Sequence, residues 1–430
     1  QNWYYNTQSV EALDTKGYYT TVVSDWIVSN INGNTYITGY RGNKKDVSIP
    51  YTITDERGVT TYIYGVALNQ FTDSSFAGFE NVVIEDGIQA IFNIQVSKNV
   101  TDNNIPIKYT GFQGMKTLKS ITLPSTLSSI SNGAFCGCES LEEVIGLENT
   151  KVTQLGKSVQ TKTSSSIMSY DDIIVINGNE YRIERDVEYD LYGVFQQCGS
   201  LKSLKLPANL QIIGTYCFYG VSVTELTIPA SVRSIGAMAF IGMERLETLS
   251  GLENCVLDYK ATVDGQTVEC GLAAIMTMEG ESFNYPIFAA LPMLKTLSLP
   301  SYATIMYGEN SMDGGSTLIP MIIASCPNLE TIILMGDWPQ AFSLLTTEES
   351  EYGINSYSWY LNGKQVSSAM EAGTYSIFPS SDDSDWVVDE NGMIIAYKGS
   401  STTVTVPNSV VKDGKTVQVV GIKSFKNPIL

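Results

Sequence analysis

A short phrase recurs along the chain and restricts how it can fold. An aromatic or aliphatic residue is followed by Leu six residues later, by Leu or Ile at nine and eleven, and by Pro at twelve. Three copies are close to complete: Phe112-Leu118-Ile121-Leu123-Pro124, Phe195-Leu201-Leu204-Leu206-Pro207 and Phe288-Leu294-Leu297-Leu299-Pro300. Phe135 (Leu141, Val144), Phe240 (Leu246, Leu249) and Ile323 (Leu329, Ile332, Leu334) keep the spacing and lose the Pro. Phe218 keeps the phrase with one residue deleted (Leu226, Ile228, Pro229). Where nothing is inserted the period is about 23 residues, as from Phe112 to Phe135. A unit that short cannot bury its own apolar face, so it must stack on its neighbours.

Inside one unit, Leu204 and Leu206 alternate with polar residues, which is the period-two signature of a strand. Pro207 ends the strand because it has no N–H to give a ladder. Leu210 and Ile213 then return to the core. The step from Ile213 to Phe218 recurs as Ile235 to Phe240 and as Ile130 to Phe135, with a small residue before each ring. It reads as a tight corner with the ring packed between coils. The expected fold is mainly β: a right-handed parallel β-rich solenoid, with β-ribbon and hairpin elements at both ends.

The phrases Ala134-Phe135-Cys136-Gly137-Cys138-Glu139-Ser140-Leu141 and Val194-Phe195-Gln196-Gln197-Cys198-Gly199-Ser200-Leu201 resemble the BspA-like class of leucine-rich repeats. The resemblance covers roughly residues 60 to 335. It implies a bacterial surface protein, with adhesion to host or matrix proteins as the commonest role. Gly146-Leu147-Glu148-Asn149 and Gly251-Leu252-Glu253-Asn254 depart from the Leu-Pro step and read as a second repeat variant.

A longer self-similarity has a period near 356 residues. Trp3-Tyr4-Tyr5-Asn6 and Gly17-Tyr18-Tyr19 match Trp359-Tyr360-Leu361-Asn362 and Gly373-Thr374-Tyr375. Asp25-Trp26 matches Asp385-Trp386, and Val47-Ser48-Ile49-Pro50 matches Val404-Thr405-Val406-Pro407. The expected organisation follows: a β-ribbon at 1–24 with a partial immunoglobulin-like resemblance, a capping hairpin module at 25–66, a solenoid at 67–345, a second ribbon or linker at 346–384, and a second hairpin module at 385–430. Turns are expected at Asn32-Gly33 and Asn391-Gly392. A solenoid end exposes strand edges that must be covered. The front copy is expected to cap the first coil, and the rear copy either to cap the last coil or to open another unit.

Three inserts break the period, near 156–191, 256–285 and 301–320. Each lies after a leucine strand and before the next aromatic corner, so all should gather along one flank, and such flanks are often binding faces. Tyr170, Tyr181, Tyr189, Tyr259, Tyr285, Tyr302 and Tyr307 sit on them. Exposed Tyr makes good contacts. The competing reading is that these rings glue the inserts to the solenoid.

The chemistry available is narrow. With no histidine, Ser-His-Asp and Cys-His nucleophiles and histidine-based metal sites are impossible. No phosphate loop or dinucleotide fingerprint is present. Neither catalysis, a cofactor nor a metal is expected; Asp382-Asp383-Ser384-Asp385 reads as a solvated linker in preference to a calcium loop. A net charge of −19 repels phosphate, so nucleic acid and anionic membrane are not expected partners. No apolar run is long enough to span a bilayer as a helix. The chain opens at Gln1 without Met or an apolar leader, so either a signal peptide has been removed or the sequence starts downstream of one. Seven cysteines leave at least one thiol free or paired between molecules. Cys138, Cys198 and Cys326 share one repeat position that is apolar elsewhere, which favours buried packing; Cys138–Cys198 and Cys255–Cys270 are the candidate disulfides. The expected function is that of a monomeric, extracellular or surface-exposed binding protein. Its partner is a host or matrix protein, with glycan recognition and a passive spacer as alternatives.

Overall fold

The computed structural model describes residues 3–5, 8–10, 20–21, 24–55, 58–68, 78–99, 107–156, 173–183, 192–257, 260–263, 266–269, 272–273, 275–278, 281–284, 286–303, 305–306, 322–326, 328–338, 342–343, 357–361, 364–366, 368–369, 371–379, 385–389, 391–397, 403–412 and 415–423. Among these the fold is mainly β, and the helical elements are two 3-10 turns, Leu147–Asn149 and Leu252–Asn254. Both follow a left-handed glycine, Gly146 (φ 86°) and Gly251 (φ 85°). A Cβ on Gly251 would sit 2.2 Å from the Ile228 carbonyl oxygen, so this step of the second repeat variant needs glycine.

Each coil contributes a leucine strand, and the described leucine strands fall in three separate sheets. Asp46–Ile49, Asn81–Ile84, Ser120–Thr122 and Glu143–Ile145 pair in parallel, one coil apart. The parallel bridge Glu143–Ser203 adds the next coil, and the parallel pairs Glu225–Thr227 with Thr248–Ser250 and Thr296–Leu299 with Thr331–Leu334 belong to two further sheets. Within each sheet register is kept residue for residue, and Val47, Val82, Ile121, Val144, Leu204, Leu226, Leu249, Leu297 and Ile332 are the inward positions. A second column, Ile37, Val66, Ile91, Ile130, Leu155, Ile213, Ile235, Leu272 and Ile305, comes from two-residue strands on the other side of the coil.

The corner between them is a column of phenylalanines. Phe112, Phe135, Phe195, Phe218, Phe240 and Phe288 are each fully buried. Successive rings lie 5.6, 5.4, 6.3, 5.6 and 5.2 Å apart, four of the five pairs within 8° of parallel. The N–H of each of the first five donates to a carbonyl of the following coil, as Phe195 does to Cys217 at 2.9 Å. Two residues past each ring the backbone is left-handed, at Gly114, Gly137, Gln197, Gly220, Gly242 and Ala290 (φ 51–74°).

The ends depart from a simple cap. The front hairpin, Trp26–Ile31 with Asn34–Tyr40, turns at Asn32-Gly33 with positive φ at both (50° and 84°). Its second strand pairs in parallel with Gly65–Val66, so the front element is itself the first coil. At the other end the strand Gly373–Pro379 pairs antiparallel with the last leucine strand, setting Tyr375 opposite Ile332. Tyr375 is 1% exposed and belongs to the main core. The rear ribbon thus covers the leucine-sheet edge, while Val388, Ile394 and Val410 form a small core of their own in the rear hairpin module.

The inserts need correction. Leu272–Ala273 and Ile305–Met306 are coil strands, although the sequence reading gave both to inserts. They were hidden because a two-residue strand carries no period. The extra residues enter at two junctions, not one. The hairpins Thr52–Thr54 with Thr60–Tyr62 and Lys260–Val263 with Gln266–Glu269 precede the second strand of their coils. The hairpins Ile94–Asn99 with Ile107–Tyr109, Ile173–Ile176 with Asn179–Ile183, and Ile275–Met278 with Glu281–Asn284 follow it.

Two substitutions separate these contributions. Phe195→Ala should cost about 3–5 kcal/mol, because the ring is buried between two others and its loss leaves a cavity. Gly137→Ala should cost about 1 kcal/mol, since the nearest atom to a new Cβ is an ordinary 3.6 Å away and only the left-handed backbone resists it. Urea titration of each variant measures both.

Candidate interaction surface

The leucine sheet presents its outer face to solvent along its whole length. Every strand alternates inward positions, buried except for the half-buried Val47, with outward positions that are exposed or half-buried. The outward residues are Ser48, Val83, Thr122, Ile145, Lys205, Thr227, Ser250, Ser298 and Ile333 in one column. Asp46, Asn81, Ser120, Glu143, Ser203, Glu225, Thr248, Thr296 and Thr331 form the next. The five positions from Ser48 to Lys205, one coil apart, span about 20 Å. Val83 and Ile145, each 47% exposed, are the large apolar residues of the first four coils on this face. Around them the polar groups bond to one another across coils: Asn81 Nδ2 donates to Asp46 Oδ1 (2.6 Å) and Ser120 Oγ donates to Asn81 Oδ1 (2.7 Å).

One rim of this face is a ladder of alternating charge. Two residues before each inward leucine position stand Lys45, Glu80, Lys119, Glu142, Lys202, Thr224, Glu247, Lys295 and Glu330. Glu80 accepts from Lys45 at 2.6 Å and from Lys119 at 2.7 Å, and Lys202 pairs with Glu142. The hydrogen bonds from Lys119 and then Lys45 hold the Glu80 carboxyl down at about 2. The groups are exposed and the pairs are screened, so they specify register more than they add stability. The sequence reading missed this ladder, although aligning the coils on their leucines exposes it.

Two of the hairpins join the other sheet instead. One 14-stranded sheet runs from the Ile94–Tyr109 and Ile173–Ile183 hairpins through the front hairpin into the second-strand column. Ile176 pairs with Ile31, Asn32 N–H donates to the Val175 carbonyl (2.8 Å), and Asn177 Oδ1 accepts from Asn30 N–H (2.7 Å). Ile31, Tyr36, Ala67, Ala90, Tyr109 and Ile176 make a separate apolar cluster there.

Of the seven insert tyrosines, Tyr170, Tyr189, Tyr259, Tyr285 and Tyr307 lie outside the described residues. Tyr181 is in the strand Asn179–Ile183, opposite Ile174 and Asn99. Tyr302 is 39% exposed, beside the bridge Leu257–Ala303. These two are not brought together into one site. The acidic run Asp382 to Ser384 also lies outside the described residues, and among those residues there is no cluster of acidic or thiol groups suited to a metal.

The cysteines are packing groups. Cys138 and Cys198 are free, fully buried thiols, so the candidate bond between them gives way to the packing reading. Each S–H is turned toward the preceding coil: Cys138 Sγ donates to the Phe112 carbonyl (3.0 Å) and Cys198 Sγ to that of Phe135 (3.3 Å). Cys255 is a free thiol as well, and Cys270 lies outside the described residues. Burial pushes the Cys138, Cys255 and Cys326 thiols up to about 12, and Cys198 well above its ordinary value. A thiol held there is neither nucleophile nor redox group.

Two measurements check these assignments. In a Cys270→Ser background the six described thiols should react with a thiol reagent at pH 8 about a hundredfold more slowly, or less, than in denaturant. For the ladder the sign follows from the lowered Glu80 carboxyl. Its stabilising contribution is present above the ordinary carboxylate value of 4.5 and is lost as pH falls toward 2. Glu80→Gln should therefore flatten the acid limb of a stability-against-pH curve over that window, and added salt should shrink the difference.

The profile of the BspA type leucine rich repeat region matches residues 88–182 and 191–257, in 6 copies. Among solved structures the chain is similar to a leucine-rich repeat protein from Bacteroides ovatus, at 18% identity and a TM-score of 0.34, covering 73% of this chain and 55% of that one. It thus spans just over half the length of that protein. It is similar to a leucine rich cell surface protein from Faecalibacterium prausnitzii, at 17% identity and a TM-score of 0.34, covering 76% and 78%. A leucine rich repeat protein of T. pallidum is similar at 19% identity and a TM-score of 0.34, covering 54% and 82%. No curated protein matches the chain.

Proposed function

We propose that the chain, whose residues 88–182 and 191–257 match the BspA type leucine rich repeat region, is a surface-displayed, non-catalytic protein that binds a protein partner through the outer face of its leucine strands. In this reading the coils form a right-handed parallel solenoid and the partner is a host or matrix protein, as the repeat class implies. The observation that supports it is the uncovered outer face, a long rigid strip with Val83 and Ile145 exposed among polar side chains. Interfaces of this kind put an apolar centre inside a polar rim. The hairpin tyrosines would extend the contact from the flank. The acidic chain favours a basic patch on the partner.

A binding array with the whole chain tests the reading. Signal on proteins with none on glycans supports it, and signal on glycans alone points to the tyrosines instead. Val83→Asp with Ile145→Asp should leave the fold intact and weaken the interaction about tenfold or more. If that pair and the insert tyrosines changed together to Ser leave every interaction untouched, the solenoid is a spacer.

A further inference from the structure

The two ends of the chain are copies in register as well as in sequence. In the front ribbon Trp3 pairs with Val10 and with Thr21; in the rear ribbon Trp359 pairs with Val366 and with Ile377. The offsets, seven and eighteen residues, are the same. An opening coil follows each ribbon. Trp26 lies opposite Tyr40 with the rings 4.6 Å apart, and Trp386 lies opposite Tyr397 at 4.6 Å. A bulge follows Ile27 in one and Val387 in the other. The parallel pairs Tyr36–Gly65 and Ile37–Val66 return as Met393–Gly421 and Ile394–Ile422.

What differs is the cover. In the front coil Ile49 and Val66 are fully buried. Ile84 and Ile91 of the following coil pair onto them, and the N–H groups of Gln89 and Phe92 donate to the carbonyls of Tyr64 and Val66. The rear residues at the positions of Ile49, Tyr64 and Val66 are Val406, Val420 and Ile422, which are 41%, 67% and 51% exposed. Among the described residues no strand lies beyond Gly421–Ile422. The inner side of the same coil is complete, with Ile394 fully buried and Val388 and Val410 at 3% and 5%. Ile422 lies on the strand at the edge of its sheet and Val420 directly precedes that strand, and exposed apolar groups at such an edge call for a partner.

We propose that residues 386–422 are the opening coil of a second leucine-rich stack, and that Val406, Val420 and Ile422 are the docking edge for a following coil of the same repeat type, parallel and continuous with this chain. The front copy identifies the occupant, since it shows the same edge filled by the segment around Ile84 and Ile91. The rear ribbon adds the complementary half. Through Gly373–Pro379 it closes one stack on the last leucine strand, and the coil behind it opens the next. Ribbon and coil together are a joint between stacks, independent of what the face of either stack binds.

The test extends the whole chain. A chimera in which residues 68–156 are placed after Lys423 supplies the rear edge with the segment that covers the front one. Hydrogen exchange at Ile394 and Val410 should slow about tenfold or more, and the grafted segment carrying Ile84→Asp and Ile91→Asp should not slow it. No protection by the unaltered graft overturns the proposal. So does concentration-dependent self-association of the unextended chain that protects the same amides, which would make a second copy the occupant. Should the chimera fail to fold, the unextended chain still decides. Val406→Asp with Ile422→Asp should leave its stability unchanged, whereas Ile49→Asp with Val66→Asp should unfold its first coil. Equal damage from both pairs means that the rear edge is already filled.

Discussion

The stacking of Phe112, Phe135, Phe195, Phe218, Phe240 and Phe288 is the contact on which the rest of the molecule depends. A coil of about 23 residues has two short strands and a corner, too little to enclose a core. The ring at the corner is buried by the rings above and below it, and each leucine by its equivalents one coil away. Burial is therefore a property of neighbours, and stability becomes a sum of interfaces. The same arrangement fixes what the backbone must do two residues past the ring, where a left-handed turn returns the chain to the leucine sheet.

That spine leaves one face free. The leucine strands turn one side inward and the other outward in every described coil, while the Ile94–Tyr109 and Ile173–Ile183 hairpins join the second sheet through the front hairpin. The charge ladder at the rim follows from the same geometry. Residues at equal phase meet at one coil spacing, so like charges would oppose and alternating ones pair. Lys45, Glu80, Lys119, Glu142 and Lys202 obey this even though three of the four junctions between them carry insertions of very different length.

Much of this was legible in the amino-acid order, and what was not has a physical reason. The leucine strands could be read because Leu204 and Leu206 alternate with polar residues, and the corner because a ring recurs at a fixed distance. The strands Leu272–Ala273 and Ile305–Met306 could not, since two residues show no alternation. Gln197 and Ala290 stand where other coils have glycine, so their left-handed backbone has no local signal and is imposed by the stack. The partner of the Ile173–Ile183 hairpin was also invisible. Its turn at Asn177-Gly178 is written locally, but the edge it joins lies some 140 residues earlier. For the candidate site, the sequence pointed to tyrosines on the inserts; the free leucine-sheet face emerges only once the coils are aligned in space.

That hairpin changes the mechanics of a modular stack. Coils that touch only their neighbours can peel away singly from an end when pulled. Here the segment around Asn177 is fastened to Asn30 and Asn32 across several coils, by backbone and side-chain amides alike. A load arriving at the first hairpin is passed directly to the fourth interval of the spine, so the opening coils must yield together. The leading half of the spine is closed by a clasp.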